Sequence, residues 1–215
     1  MNKLNTSKLL MASVVVAVTS FSANAATVLV DNLDQPARLA PTIIPTDAGW
    51  AAQSFSTEGA RYSLSTVDVF LGHRVDTPSI VAELRAGNST NVGATLTTFT
   101  FPGVSTGSPA MVTLTPSKPV NLDPGTTYWL VMGTSGPGSF GWSYAEGNVT
   151  AGPGSLGNFA YSADSGATWV AYSDNPYHLR VNVNPVPLPA SVWLLGTGLL
   201  TLLGARKKNR QRGSV

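Results

Sequence analysis

No cysteine occurs in this 215-residue chain, which excludes a disulfide framework, thiol catalysis and any cysteine-based metal site. That absence is compatible with an exported protein whose core is large enough to hold without cross-links. Charge is scarce as well: Asp, Glu, Lys and Arg together make up 11% of the residues. Helix-favouring Glu and Lys are therefore few, while 21 glycines and 15 prolines supply turns. The formal net charge of +2 averages unlike regions. Five of the 13 basic residues (Arg206, Lys207, Lys208, Arg210 and Arg212) fall in the last ten positions, and Lys3 and Lys8 lie near the start. Between residues 26 and 185, six basic residues stand against 11 acidic ones, a net of −5. A negative domain without a basic patch speaks against nucleic-acid binding.

Long apolar runs are missing too, and the two short ones sit at the ends. The N-terminus combines basic Lys3 and Lys8, an apolar run from Leu9 to Val18, and the small-x-small triplet Ala23-Asn24-Ala25. That three-part layout is a secretory signal peptide, with cleavage expected after Ala25. Its apolar run is too short to span a bilayer, which takes roughly 20 residues. Near the C-terminus, Ala190 to Ala205 are 16 residues without a charge. As a helix at about 1.5 Å per residue they reach about 24 Å, against a hydrocarbon core of ~30 Å. Pro187 and Pro189 suit an extended approach or a first helical turn, not a helix interior. The basic cluster from Arg206 to Arg212 would hold that end in the cytoplasm and leave the acidic domain outside.

The order Val186-Pro187-Leu188-Pro189-Ala190, then "SVWLLGTGLLTLLG", then "ARKK" resembles a PEP-CTERM sorting tail of the VPLPA type. The resemblance covers about the last 25 residues. It implies handling by an exosortase in a Gram-negative bacterium that makes exopolysaccharide. Many family members carry Glu where this chain has Leu188, a departure that bears on the enzyme's subtype and on the bond cut. A plain single-pass membrane anchor is the alternative reading of the same segment.

The remaining stretch, 26–185, has almost no helical periodicity. Short runs of β-branched and aromatic residues recur between Gly, Pro, Asn, Asp and Ser. Strands are expected at 27–33, 51–57, 62–73, 79–86, 94–101, 110–116, 126–133, 140–146, 158–163, 168–173 and 178–183. Tyr62, Leu64, Val67, Val69 and Leu71 alternate with one slip between Leu64 and Val67, a bulge signature. "YWLVM" at 128–132 is apolar on both faces, as in a central strand. Asp123-Pro124-Gly125 suits a tight turn leading into it. The expected fold is all-β, an antiparallel β-sandwich or jelly-roll-like domain. "QSFST", "VDVFLG", "VAELRAG" and "NLDPGTTYWLVMG" are similar to the choice-of-anchor R type of bacterial surface domain. That similarity implies secretion and surface display, and carries no activity with it. The expected organisation is thus a signal peptide at 1–25, a surface domain at 26–185, and a sorting tail at 186–212. Within the tail, the motif is 186–190, a short transmembrane helix 190–205 and the basic cluster 206–212.

Chemistry is harder to find. "GPGSFG" (136–141) and "GPGSLG" (152–157) both satisfy G-x-G-x-x-G, but a phosphate cradle needs a helix to follow, and neither is followed by a helical stripe. They read as a short duplication in which each glycine-rich turn feeds an aromatic strand. Eight of the 18 aromatic residues lie between Phe140 and Tyr177. Phe140, Trp142 and Tyr144 share one face of a strand, and with Tyr161 and Trp169 they are the candidate residues for stacking on sugar rings. Filling the core is the commoner use of such rings. His73 and His178 lack metal-ligand spacing. No G-x-S-x-G elbow is present, although a Ser-His-Asp triad is defined in space and not by spacing. Asp31, Asp34, Asp47, Asp123, Asp164 and Asp174 sit in turn contexts; loop acids of this kind can ligate calcium, but no EF-hand spacing is present. No catalytic residue and no resident cofactor is therefore assigned. The expected partners are signal peptidase and an exosortase during export, the membrane before processing, and exopolysaccharide. A structural or adhesive protein is the leading expectation, with a carbohydrate-binding module second and a secreted hydrolase third.

Overall fold

The structure, a computed structural model, describes residues 26–37, 42–44, 48–75, 79–104, 107–136 and 138–186, with 42–44 and 73–75 as backbone alone. The strands are β1 (Thr27–Asp31), β2 (Thr42–Ile44), β3 (Trp50–Ser56), β4 (Tyr62–Val75), β5 (Ile80–Gly87) and β6 (Val92–Thr100). They continue with β7 (Ala110–Pro116), β8 (Asn121–Leu122), β9 (Thr127–Thr134), β10 (Ser139–Trp142), β11 (Ser155–Ser162), β12 (Val170–Tyr172) and β13 (Leu179–Pro185). Among the described residues there is no helix, and every strand pairing is antiparallel.

Hydrogen bonding runs in the order β1-β13-β4-β7-β6-β5-β9-β3-β11-β12, with β8 and β10 added to β4 and β2 to β10. The path folds over where β6 meets β7 through only two residue pairs, Phe99 with Pro116 and Thr100 with Thr115. Two layers result, β1-β13-β4-β7 with its additions and β6-β5-β9-β3-β11-β12, and one apolar cluster joins them. The arrangement is sandwich-like.

Side-chain alternation explains the core. Leu179, Val181 and Val183 of β13 are buried while Arg180, Asn182 and Asn184 are only partly so. On β4, Thr66 pairs with Asn182 and Leu64 with Val183, which leaves Ser65 unpaired. This is the bulge expected between Leu64 and Val67, and it returns both side chains to the same face. β9 lies between β5 and β3 and is buried on both sides. Tyr128, Leu130 and Met132 enter the main core, whereas Trp129 and Val131 enter a second cluster on the outer face with Ala52, Val92 and Ala160. The turn before β9 has Gly125 at φ +60°, a conformation that glycine adopts without a Cβ penalty.

All eleven expected strands are present, with shifted ends. β10 ends at Trp142, short of the expected 146, because beyond Ser143 the chain leaves β4 for other partners. Ser143 N–H donates to the Phe70 carbonyl, Ala145 N–H to Pro176 and Glu146 N–H to Pro36. β2 and β8, three and two residues long, were not anticipated, being too short to carry a period.

β1 and β13 are neighbours in antiparallel register, Thr27 opposite Val183. The chain therefore enters and leaves the domain at one pole, where Val186 N–H donates to the Arg61 carbonyl. Leu179, at the other end of the seven-residue β13, lies roughly 20 Å away at ~3.3 Å per residue.

Candidate functional site

The aromatic residues chosen from sequence do not form one platform. Phe140 is 1% exposed and Trp142 0%, so the rings of β10 fill the core, the commoner use, and the exposed row that sugar stacking needs is not formed there. β10 is hydrogen-bonded to β4 on one side and β2 on the other, and its alternate side chains are drawn into the core. Trp142 stacks on Tyr177 with centroids 4.3 Å apart, and its indole N–H donates to the His178 carbonyl at 3.0 Å. Tyr144 packs on the same core, edge-on to Tyr177. Tyr161 stands opposite Ala51 and Val170, on the core-side face of β11. Trp169 lies on the other face with the outer cluster. There the Arg85 guanidinium sits 5.5 Å from the Trp50 ring and 5.9 Å from that of Trp169, and is paired to Glu83 at 2.7 Å. Arg85 thus covers ring surface that a sugar would need.

A different constellation appears at the pole opposite the chain ends. Ser143 follows β10 and His178 precedes β13, two segments that are joined by a bond from His178 N–H to the Ser143 carbonyl. The Asn32 side chain clamps both neighbours of His178: its amide donates to the Tyr177 carbonyl at 3.1 Å and its oxygen accepts Leu179 N–H at 2.8 Å. Buried Gln53 adds a further tie, accepting Tyr177 N–H at 2.9 Å. His178 is consequently fixed from three directions before its ring is considered.

The ring is buried, with Nε2 3.1 Å from the Gln35 carbonyl and Nδ1 3.0 Å from Ser143 Oγ. A carbonyl can only accept, so Nε2 carries the proton and Nδ1 offers its lone pair to the Ser143 hydroxyl. Phe70 packs edge-on at 5.7 Å. Burial holds the His178 pKa below its ordinary 6.5, an effect partly opposed by the Gln35 carbonyl. Ser143 and His178 line a cavity of about 280 Å³ whose other walls include Leu33, Ala37, Phe70 and Pro109. Sequence spacing carries no sign of this pair. The two residues are 35 apart and meet only because one pairs with the other across the end of the sheet. His73 lies where only the backbone is described.

The loop acids have local work. Asp31 accepts Leu33 N–H and pairs with Arg180 at 2.6 Å; Asp123 pairs with Arg61 at 2.6 Å on the surface. Asp164 accepts from Thr168 N–H, Thr168 Oγ1 and Ser162 Oγ, and these bonds pull its pKa down to about 2. Asp34 and Asp174 are exposed, and Asp47 lies outside the described residues. Among the described residues, no three His, Cys, Asp or Glu side chains converge on a point that could hold a metal ion.

Of the sorting residues, Val186 is described and exposed at the exit of β13. Pro187, Leu188, Pro189, Ala190, the 190–205 segment, the cluster Arg206, Lys207, Lys208, Arg210 and Arg212, and the cleavage residues Ala23 and Ala25 lie outside the described residues. Comparison of the chain with protein-family profiles and with curated proteins finds no match in either.

Proposed function

We propose that the chain is an exported bacterial surface protein: a sandwich domain delivered by a cleavable signal at 1–25 and sorted through 186–212. Its role is structural or adhesive, in the cell envelope or the exopolysaccharide matrix, and it meets signal peptidase and an exosortase-type enzyme on the way. The observation that carries this reading is the shared pole of the chain ends. Thr27 and Val183 are register partners, and beyond Pro185 the chain leaves the sheet at exposed Val186. The proline-containing motif Val186–Ala190 follows directly in sequence, and it is the segment a processing enzyme at the membrane surface would engage. The short apolar segment and basic stop then place the domain outside.

Deleting residues 187–212 tests the reading by fractionation of cells and medium. The domain is expected to keep its fold and move from the surface fraction to the soluble exported fraction. An unchanged distribution would sink the sorting role of the tail.

A further inference from the structure

We infer that Ser143 is a nucleophile activated by His178, in a cavity that takes the acyl part of a small carboxylic ester. This activity goes beyond the surface role proposed above and does not depend on it.

Four observations carry the inference. The Ser143 hydroxyl and the His178 Nδ1 lone pair are 3.0 Å apart, within the reach required of a nucleophile and its base. The base is oriented by a third group, the Gln35 carbonyl at 3.1 Å, which fixes the tautomer that leaves Nδ1 free to accept. The Asn32 clamp on Tyr177 and Leu179 holds the imidazole before any ligand arrives, the kind of preorganisation a reactive pair needs. Finally, both groups face a cavity of about 280 Å³, small beside the usual range of roughly 300–1,000 Å³. Apolar walls from Leu33, Ala37, Phe70 and Pro109, with Gln35 beside the Ser143–His178 pair, suit a short acyl chain. Burial keeps His178 neutral near pH 7, able to receive a proton.

Ser143 Oγ attacks the ester carbonyl carbon, its proton passes to His178 Nδ1, and an Oγ–C bond forms. The carbonyl–alkoxy C–O bond then breaks, and Nδ1 returns the proton to the departing alcohol, leaving acyl-Ser143. Water repeats the sequence and releases the carboxylic acid. The imidazolium formed in between is held at Nε2–H by a neutral carbonyl. A carboxylate would stabilise it more, so both half-reactions are slowed; an ester with a good leaving group such as nitrophenolate still acylates faster than water deacylates, and the acyl-serine accumulates.

The test treats the full chain, in detergent micelles at mildly alkaline pH, with p-nitrophenyl acetate. The expected result is a burst of nitrophenolate approaching one per chain, with one acetyl group on the peptide containing Ser143. Ser143→Ala removes burst and adduct; His178→Gln slows the burst by about 100-fold or more, the usual contribution of a positioned base. Ser143→Cys restores an adduct at the same position as a thioester, which keeps the test valid if His178→Gln does not fold. Thermal unfolding of Ser143→Ala within a few degrees of wild type verifies the fold. Acetyl groups confined to lysines or the N-terminus, or a burst unchanged in Ser143→Ala, would overturn the inference and leave the pair as a structural hydrogen bond. Surface sorting of Ser143→Ala is expected to be normal, so failure here and failure of the sorting reading are separable.

Discussion

Trp142 is enclosed on every side: it is buried, stacked on Tyr177 and bonded through its indole N–H to the His178 carbonyl. Trp142→Ala should therefore cost about 3–5 kcal/mol, the range for removing a large core ring, read as a shift of the denaturant midpoint. A loss below about 1 kcal/mol would mean the ring is not packed as described. Alternation in sequence had placed Phe140, Trp142 and Tyr144 on one face, and that was legible. Which face is buried depends on β4 and β2, the two strands that flank β10, and no local pattern reports them. His178 gives a second test at the same scale. Its folded pKa lies below the ordinary 6.5, so the unfolded chain binds the proton more readily. The stability it contributes is complete above about pH 6.5 and is lost as pH falls below that value. Asp164, lowered from 3.8 to about 2, supports its turn at higher pH and loses that support only as pH falls from 3.8 towards 2. A melting temperature that declines between pH 7 and pH 5 in wild type and stays flatter in His178→Gln is the expected pattern. Parallel curves would exclude His178 as the cause.

At the scale of elements, β9 and its neighbours show how much short-range pattern can reveal. An apolar run without alternation pointed to a strand buried on both faces, and β9 lies between β5 and β3 with core on one side and the Trp129 cluster on the other. The pattern did not disclose what seals that outer side. Trp50 lies across Gly133 so closely that an added Cβ would enter the indole ring. Gly133→Ala is expected to cost about 1–3 kcal/mol as an overpacked site, with Trp50 fluorescence shifted towards that of a more exposed indole. An Ala variant of wild-type stability and unchanged emission would contradict the packing. The slip between Leu64 and Val67 was legible as a bulge because it breaks a period within one strand. β2 and β8 were not, because they exist through partners that lie far along the chain.

Across the whole molecule, the two ends of β13 divide the labour. One pole gathers the entry at Thr27 and the exit at Val186, and the other holds the Ser143–His178 cavity, so a tethered domain would present the cavity away from its attachment. The proposed address segments rest on sequence alone, because signal and tail chemistry is written in consecutive residues, and, Val186 apart, they lie outside the described residues. The cavity pair was not legible in the sequence, since it is made by long-range pairing and by the Asn32 clamp. Replacing Asn32 by Ala removes its bonds to the Tyr177 carbonyl and the Leu179 N–H, at about 1–3 kcal/mol for buried hydrogen bonds of this kind. That loss should appear in denaturant unfolding, together with weaker burst amplitude towards p-nitrophenyl acetate.

The intact mass of the protein recovered separately from cells and medium tests the central account most directly. A surface or released form running from Ala26 to a C-terminus within Val186–Ala190 is the predicted result. A mature, membrane-bound species that still carries Arg206 to Arg212 would contradict sorting by cleavage and make the tail a simple anchor.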